Sequence, residues 1–241
     1  MSAFWTIHTG LLREGPGTPA EVAWACGHAD IPLAGRICDV GCGPGADLAT
    51  LRRAVPEGSV LGLDRHLPFV VDAALRHRDD PGIAVKRGLL VARDGLPDPA
   101  SEGPFDLIWC AGAIYFEGVT AALQAWGPAL TARGCVAFST PVVADPDDAE
   151  AVAFWGGDLW DTDATLDAAI AEAGFETIAL GQVDDTGWEA YYAATEARCA
   201  ELDAVADAEL RAAVAETRAE ASDWRRLRGR LGYALRVVRP A

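Results

Sequence analysis

The chain has 241 residues, 51% of them hydrophobic, which suffices for a sizeable core and argues against disorder. Its formal net charge of −16 repels nucleic acid and anionic membrane surfaces, which leaves a small molecule as the expected partner. No apolar run reaches the roughly 18 residues that a membrane-spanning helix needs, and MSAFWTIHTGLL shows no basic region ahead of an apolar core, so a cytoplasmic location is expected.

Phe4, Trp5 and Leu12 are apolar anchors of a short first helix within 1–12. A turn rich in Gly and Pro follows over 13–19. Thr18, Pro19 and Glu21 then have the spacing of a capping box at the start of a second helix that runs to about Gly27. Ile37 to Val40 reads as a buried parallel strand. Gly41, Gly43 and Gly45 alternate through a tight turn, and Ala46 to Val55 resumes a helical pattern. Strand, glycine-rich turn and helix form a nucleotide-binding unit, in which the helix start offers free N–H groups and a partial positive charge. Asp39 sits at the strand end, where a carboxylate can face a cationic ligand. A second strand, Val60 to Leu63, ends in Asp64, placed to accept both hydroxyls of a ribose.

A helix from about Pro68 to Arg78 and a strand over Ile83 to Arg87 come next. Phe105 to Cys110 is the fourth strand, Val119 to Leu130 a helix, and Cys135 to Ser139 the fifth strand. A helix from Asp161 to Ala173 leads to a strand over Glu176 to Leu180. About 45 helix-forming residues separate it from a last strand at Tyr233 to Val238. The six cysteines, at 26, 38, 42, 110, 135 and 199, include no Cys-x-x-Cys, and the four histidines show no ligand spacing. Neither a metal site nor a disulfide framework is expected. Arg225, Arg226, Arg228 and Arg230 form a basic cluster, read as a solvated helix face.

The run Asp39 to Gly45, Asp-Val-Gly-Cys-Gly-Pro-Gly, taken with Asp64, resembles class I S-adenosylmethionine-dependent methyltransferases. Gly15 to Thr18, Gly112 to Tyr115 and Trp188 to Tyr192 resemble bacterial small-molecule members of that superfamily. The resemblance implies an α/β fold: a Rossmann-like, doubly wound, seven-stranded sheet, mostly parallel with one antiparallel strand. It also implies an N-terminal helical lid and a helical insertion before the last strand. One domain is then expected, with N-terminal helices over 1–35, a core over 36–183, the insertion over 184–230 and the last strand over 231–241.

The implied cofactor is S-adenosyl-L-methionine, held by Asp39, Gly41, Cys42, Gly43, Gly45, Asp64, Arg65, Leu89 and Cys110. After the third strand the family has an acid that binds the adenine amino group; here Leu89 stands in that region, so stacking on Leu89 and a bond to its N–H are expected instead. Methyl transfer needs position, desolvation and sometimes a base. Tyr115 and Glu117 are the candidates for that chemistry, and His8, Trp188, Tyr191 and Tyr192 the candidates for substrate contact. Trp155 and Trp160 add to an aromatic-rich second half suited to a cationic amine or a flat ring. The inserted helices either cover the substrate or make a homodimer contact. A nicotinamide-dependent dehydrogenase and a binding protein of methyltransferase fold without catalysis are the alternative functions.

Overall fold

A computed structural model of the protein describes residues 2–157 and 161–241; Trp160 lies outside them. The N-terminal segment supplies α1 (Ala3–His8) and α2 (Pro19–His28). The expected capping box forms: Thr18 and Glu21 satisfy each other's backbone N–H groups. Glu21 has a second task, accepting the Asp184 N–H at 3.2 Å and so tying α2 to a distant part of the chain.

Then follow β1 (Arg36–Val40), α3 (Leu48–Ala54), β2 (Ser59–Asp64), α4 (Leu67–Arg76), β3 (Ile83–Arg87), α5 (Pro99–Glu102) and β4 (Phe105–Ala111). The second half comprises α6 (Val119–Trp126), β5 (Leu130–Val143), α7 (Ala149–Phe154), α8 (Asp163–Glu172), β6 (Phe175–Gln182), α9 (Asp185–Leu202), α10 (Ala208–Leu227) and β7 (Leu231–Pro240). The strands form one seven-stranded sheet in the order β3-β2-β1-β4-β5-β7-β6. All pairs are parallel except those of β7, which runs antiparallel to both β5 and β6. The expected architecture is therefore present.

Strand alternation divides the core between the two faces of the sheet. Ile37, Leu107 and Trp109 pack with Val22, Leu48 and Leu51 under α2 and α3. Cys38, Ile108 and Cys110 pack with Leu123, Trp126, Leu166 and Ile170 under α6 and α8. Fully burying one such side chain stabilises by roughly 1.5–3 kcal/mol, so both faces must be covered.

Strand order reverses between β1 and β4, and ligands of open α/β sheets bind at the carboxyl ends of strands at such a point. Two strands extend past that edge. β5 and β7 are longer than expected, and the pairing continues through Pro141–Tyr233 to Val143–Leu231. This extension lifts Tyr233 above the edge. The inserted α9 and α10 pack on it, with Trp188, Tyr192, Trp224 and Tyr233 in one buried cluster. From the other side, Ile7 of α1 packs with Cys199, Leu202 and Val214 of the inserted helices. The basic cluster is used up in ion pairs: Arg225 with Glu189 and Glu196, Arg226 and Arg230 with Glu150, and Arg228 with Glu189. Among the described residues no helix is long and apolar enough to cross a membrane.

Candidate active site

The glycine turn begins where β1 ends. Gly41, Gly43 and Gly45 have φ of +76°, +52° and +85°, a region that residues with a Cβ rarely adopt. Sterics add to this. A Cβ on Gly41 would lie 2.7 Å from the Cβ of Ala113, and one on Gly45 2.9 Å from that of Ala73. Gly41 and Cys42 donate their N–H groups to the Leu63 carbonyl at 2.8 and 3.0 Å, which locks the turn to the end of β2. Gly43 is different: a Cβ there would meet no backbone, only the Glu14 side chain at ordinary contact, with Cγ 3.7 Å away across the space above the turn. That space belongs to a cleft of about 920 Å³ at the reversal point of the sheet. Its size lies at the upper end of the range for ligand clefts, about 300–1,000 Å³.

One end of the cleft is polar and acidic. Asp39 is 2% exposed, and its Oδ2 has no hydrogen-bond partner among the described residues. Burial raises its carboxyl well above the usual range; neighbouring Asp47 adds to this, and Arg13 opposes it. Asp47 is engaged elsewhere, accepting from Arg13 and from the indole N–H of Trp109 at 2.9 Å. It therefore does not cap α3 with its side chain. Asp64 accepts the Gly43 N–H at 2.9 Å and the His66 N–H at 2.7 Å, so its carboxylate is aimed by two backbone donors. Burial raises its carboxyl, and those two hydrogen bonds partly offset the rise. The His66 ring stacks on Trp5 with centroids 3.8 Å apart. Arg65 also lines the cleft, its guanidinium 5.9 Å from the centre of the Phe116 ring.

Two expectations about this end need correction. Leu89 lines the cleft, but its N–H donates to the Pro97 carbonyl at 2.8 Å. It therefore offers a ligand its side chain and not the expected backbone bond. Asp94, held at φ +58° in the loop after β3, brings a carboxylate to the same cleft. Cys110 does not reach the cleft. Strand alternation buries it in the core under α6, and Ala111 and Gly112 line the cleft instead.

The other end is aromatic. Trp188 lies 5.1 Å from Tyr233 and 6.1 Å from Tyr192, and Tyr191 lies 5.2 Å from Tyr192, between ring centres. Trp155 closes the group at 5.6 Å from Tyr233. Tyr115 joins it through a hydrogen bond between its hydroxyl and that of Tyr233. Burial raises Tyr115, Tyr191, Tyr192 and Tyr233 above the usual phenol range, so at neutral pH all four are protonated donors rather than bases. Tyr192 donates to Glu220 at 3.0 Å. His8 Nδ1 lies 2.5 Å from Glu14 Oε2. Glu117, expected near the chemistry, is paired with Arg93.

The structure thus brings His8, Tyr115, Glu117, Trp188, Tyr191 and Tyr192 to the same cleft as Asp39, Gly41, Cys42, Gly43, Asp64, Arg65 and Leu89, whereas Gly45, turned toward Ala73 and Leu48, shapes the turn without lining the cleft. Sequence reasoning missed Arg13, Glu14, His66, Glu220 and Tyr233. Arg13 and Glu14 lie in a turn whose Gly and Pro content hid two charged side chains that point inward. Glu220 looks like any solvated acid of a helix rich in Glu and Arg. Tyr233 needed the true length of β7.

Residues 38–136 match the family model described as "Methyltransferase domain". Over 111 residues the chain is 34% identical to malonyl-[acyl-carrier protein] O-methyltransferase of Magnetococcus marinus, a match covering 46% of this chain and 39% of that protein. The matched stretches span 19% and 39% of the curated relatives found, less than two fifths of either. Among solved structures, the chain is similar to a SAM-dependent methyltransferase from Geobacter sulfurreducens in complex with S-adenosyl-L-homocysteine. That pair shares 20% identity and a TM-score of 0.83 over 99% of this chain and 98% of the other. A SAM-dependent methyltransferase from Thiobacillus denitrificans, also in complex with S-adenosyl-L-homocysteine, gives a TM-score of 0.80 at 20% identity, with both chains fully covered. The likeness to both structures is one of fold.

Proposed function

We propose, from the premise that residues 38–136 form a methyltransferase domain on the class I methyltransferase fold, that the chain uses S-adenosylmethionine to methylate a small molecule held in the cleft. The observation that carries this reading is the unpartnered Oδ2 of buried Asp39 beside the glycine turn. A buried carboxylate without a partner is costly, by several kcal/mol if ionised. A cationic ligand resolves that cost. S-adenosylmethionine has an ammonium and a sulfonium; a nicotinamide dinucleotide would bring a pyrophosphate to a turn flanked by Asp39, Asp47 and Asp64, where Arg13 is already engaged. The acidic turn therefore favours the sulfonium cofactor over the dehydrogenase reading.

In this account Gly41 to Gly45 and Asp39 receive the methionine end, Asp64 accepts from the ribose hydroxyls, and Leu89 and Asp94 flank the adenine. Gly43 lines the cleft without a Cβ, and only the Glu14 side chain borders the place where one would sit, which supports the close approach that such a ligand needs. Bound, S-adenosylmethionine supplies an activated methyl group with a built-in leaving group. The protein's part is to hold the acceptor and exclude water, for which α1, α9 and α10 are placed as a cover over the aromatic end. Tyr115 and Tyr233, protonated donors joined to each other, are suited to orienting an acceptor rather than deprotonating it.

The M. marinus relative is named for action on a malonyl group of a carrier protein. An acceptor with a free carboxylate fits less well here, because Glu14 and Glu220 already line the cleft. Release of S-adenosylhomocysteine from labelled S-adenosylmethionine across a metabolite panel tests the proposal. Turnover with a small acceptor is expected. Tight cofactor binding with no release across amines, phenols, thiols and acids would favour the catalysis-free alternative.

A further inference from the structure

The aromatic end of the cleft has an unusual charge balance. The arginines that line the cleft are Arg13, Arg65, Arg87 and Arg93; Arg13 is engaged by Asp47 and Arg93 by Glu117, while Arg65 follows the end of β2 and Arg87 is the last residue of β3. Around the tyrosines stand two carboxylates instead. Glu14 and Glu220 both act on the Tyr191 hydroxyl through their charge. Neither has an arginine or lysine partner among the described residues. The four arginines of α10 are spent elsewhere, Arg211 on the Ala206 carbonyl, Arg218 on Asp203, Arg225 on Glu189 and Glu196, and Arg226 on Glu150 and Asp223.

Glu14 is the more telling of the two. Its Oε2 is held by His8 Nδ1 at 2.5 Å, which fixes the carboxyl plane. Its Oε1 is buried and has no hydrogen-bond partner among the described residues. It stands over Gly43 on one side, its Cγ 3.7 Å from where a Cβ would sit, and within electrostatic reach of Tyr191 on the other, at the junction of the acidic and aromatic ends. An orphaned carboxylate oxygen in a cleft that is also lined by aromatic rings has one obvious complement, an N–H cation.

We propose that the aromatic end takes a small protonated amine, held against the half-buried ring of Tyr191, with Glu14 Oε1 accepting from its ammonium. This rests on the methyltransferase reading above and names the acceptor class for that cleft. His8 acts through Glu14 as a positioning residue. Passing one proton from the ammonium to the Glu14 carboxylate leaves the amine nitrogen neutral, with its lone pair free. Burial favours that transfer by raising the Glu14 carboxyl, against the opposing pull of His8. Glu220, hydrogen-bonded to Tyr192, keeps the surrounding potential negative.

The test uses the full chain saturated with S-adenosylhomocysteine. Benzylamine and phenethylamine are titrated beside benzyl alcohol, phenethyl alcohol and benzoate, with calorimetry and the intrinsic tryptophan fluorescence as readouts. Each amine should bind about tenfold or more tightly than its alcohol, the worth of one cation–π contact plus a charged hydrogen bond. Glu14→Gln should erase that preference and leave S-adenosylhomocysteine affinity within about threefold. Equal binding of amine and alcohol by the wild type, or tighter binding of benzoate, would overturn the proposal without any variant. So would a Glu14→Gln protein that loses S-adenosylhomocysteine and keeps the amine, since Glu14 would then serve the cofactor. If the wild type fails to bind S-adenosylhomocysteine, the underlying methyltransferase reading falls as well, and the two failures are thereby distinct.

Discussion

Removing the Asp64 carboxylate tests two separate consequences of one geometry. Its oxygens accept the Gly43 N–H at 2.9 Å and the His66 N–H at 2.7 Å, and under the proposed function the same oxygens accept from a ribose. In Asp64→Ala the ligand loses hydrogen bonds to a charged group, roughly 1.5–3 kcal/mol, which is about a 10- to 150-fold loss of S-adenosylhomocysteine affinity. The free protein loses the acceptor for two backbone donors. Each donor left unsatisfied costs about 1–3 kcal/mol when fully buried. Here the site opens on the cleft, and loss of a carboxylate whose pKa burial has raised offsets part of the cost. A net loss of about 1 kcal/mol is expected, which for a domain of this size lowers Tm by about 2–4 °C. Asp64→Asn keeps the shape and one acceptor oxygen, so it should fall between wild type and Ala in both measurements. Titration calorimetry and scanning calorimetry on the three proteins provide the data. Affinity within threefold of wild type in Asp64→Ala would remove Asp64 from the ligand site and refute the reasoning.

Gly41→Ala combines a positive φ with a Cβ 2.7 Å from that of Ala113, whereas Gly174→Ala, just past the end of α8, has a positive φ and open space, so the first should lower Tm clearly more than the second; equal shifts would mean that the contact with Ala113 is soft. The raised Asp39 carboxyl binds its proton more tightly folded than unfolded, so its contribution to stability is full below the usual carboxylate range of about 4 and is lost as pH rises through the folded value. The Tm of the ligand-free protein should therefore decline toward alkaline pH by an amount that Asp39→Asn reduces, and an unchanged slope in Asp39→Asn would contradict this origin. Leu89 meets a ligand only through its side chain, so Leu89→Met should bind S-adenosylhomocysteine within about threefold of wild type, and a severe loss by calorimetry would point to a different adenine contact.

What the sequence made legible was local. The Gly41–Gly45 turn, the strands on either side of it and the Thr18–Glu21 capping box depend on residues a few positions apart, and the structure has them where the pattern puts them. The last strand was legible because β-branched and apolar residues return after a long helical stretch, although its pairing with β5 extends it to Leu231. The parts of the site that escaped depend on distant partners. Glu14 matters because His8 and Tyr191 converge on it, and Tyr233 because antiparallel pairing with Pro141 raises it above the sheet edge. Leu89 shows the same limit on a smaller scale: whether its N–H is free depends on Pro97, several residues away in an irregular loop. Cys110 shows how one position of strand register decides between core and cleft.

The central claim is that the acidic glycine turn receives a sulfonium cofactor and not a dinucleotide, and titration calorimetry of the purified chain with S-adenosylmethionine, S-adenosylhomocysteine and NAD tests it most directly. One saturable site is expected for the first two, weakened in Asp64→Ala, with no measurable heat of binding for NAD. Saturable binding of NAD, or no binding of either adenosyl compound, would contradict it.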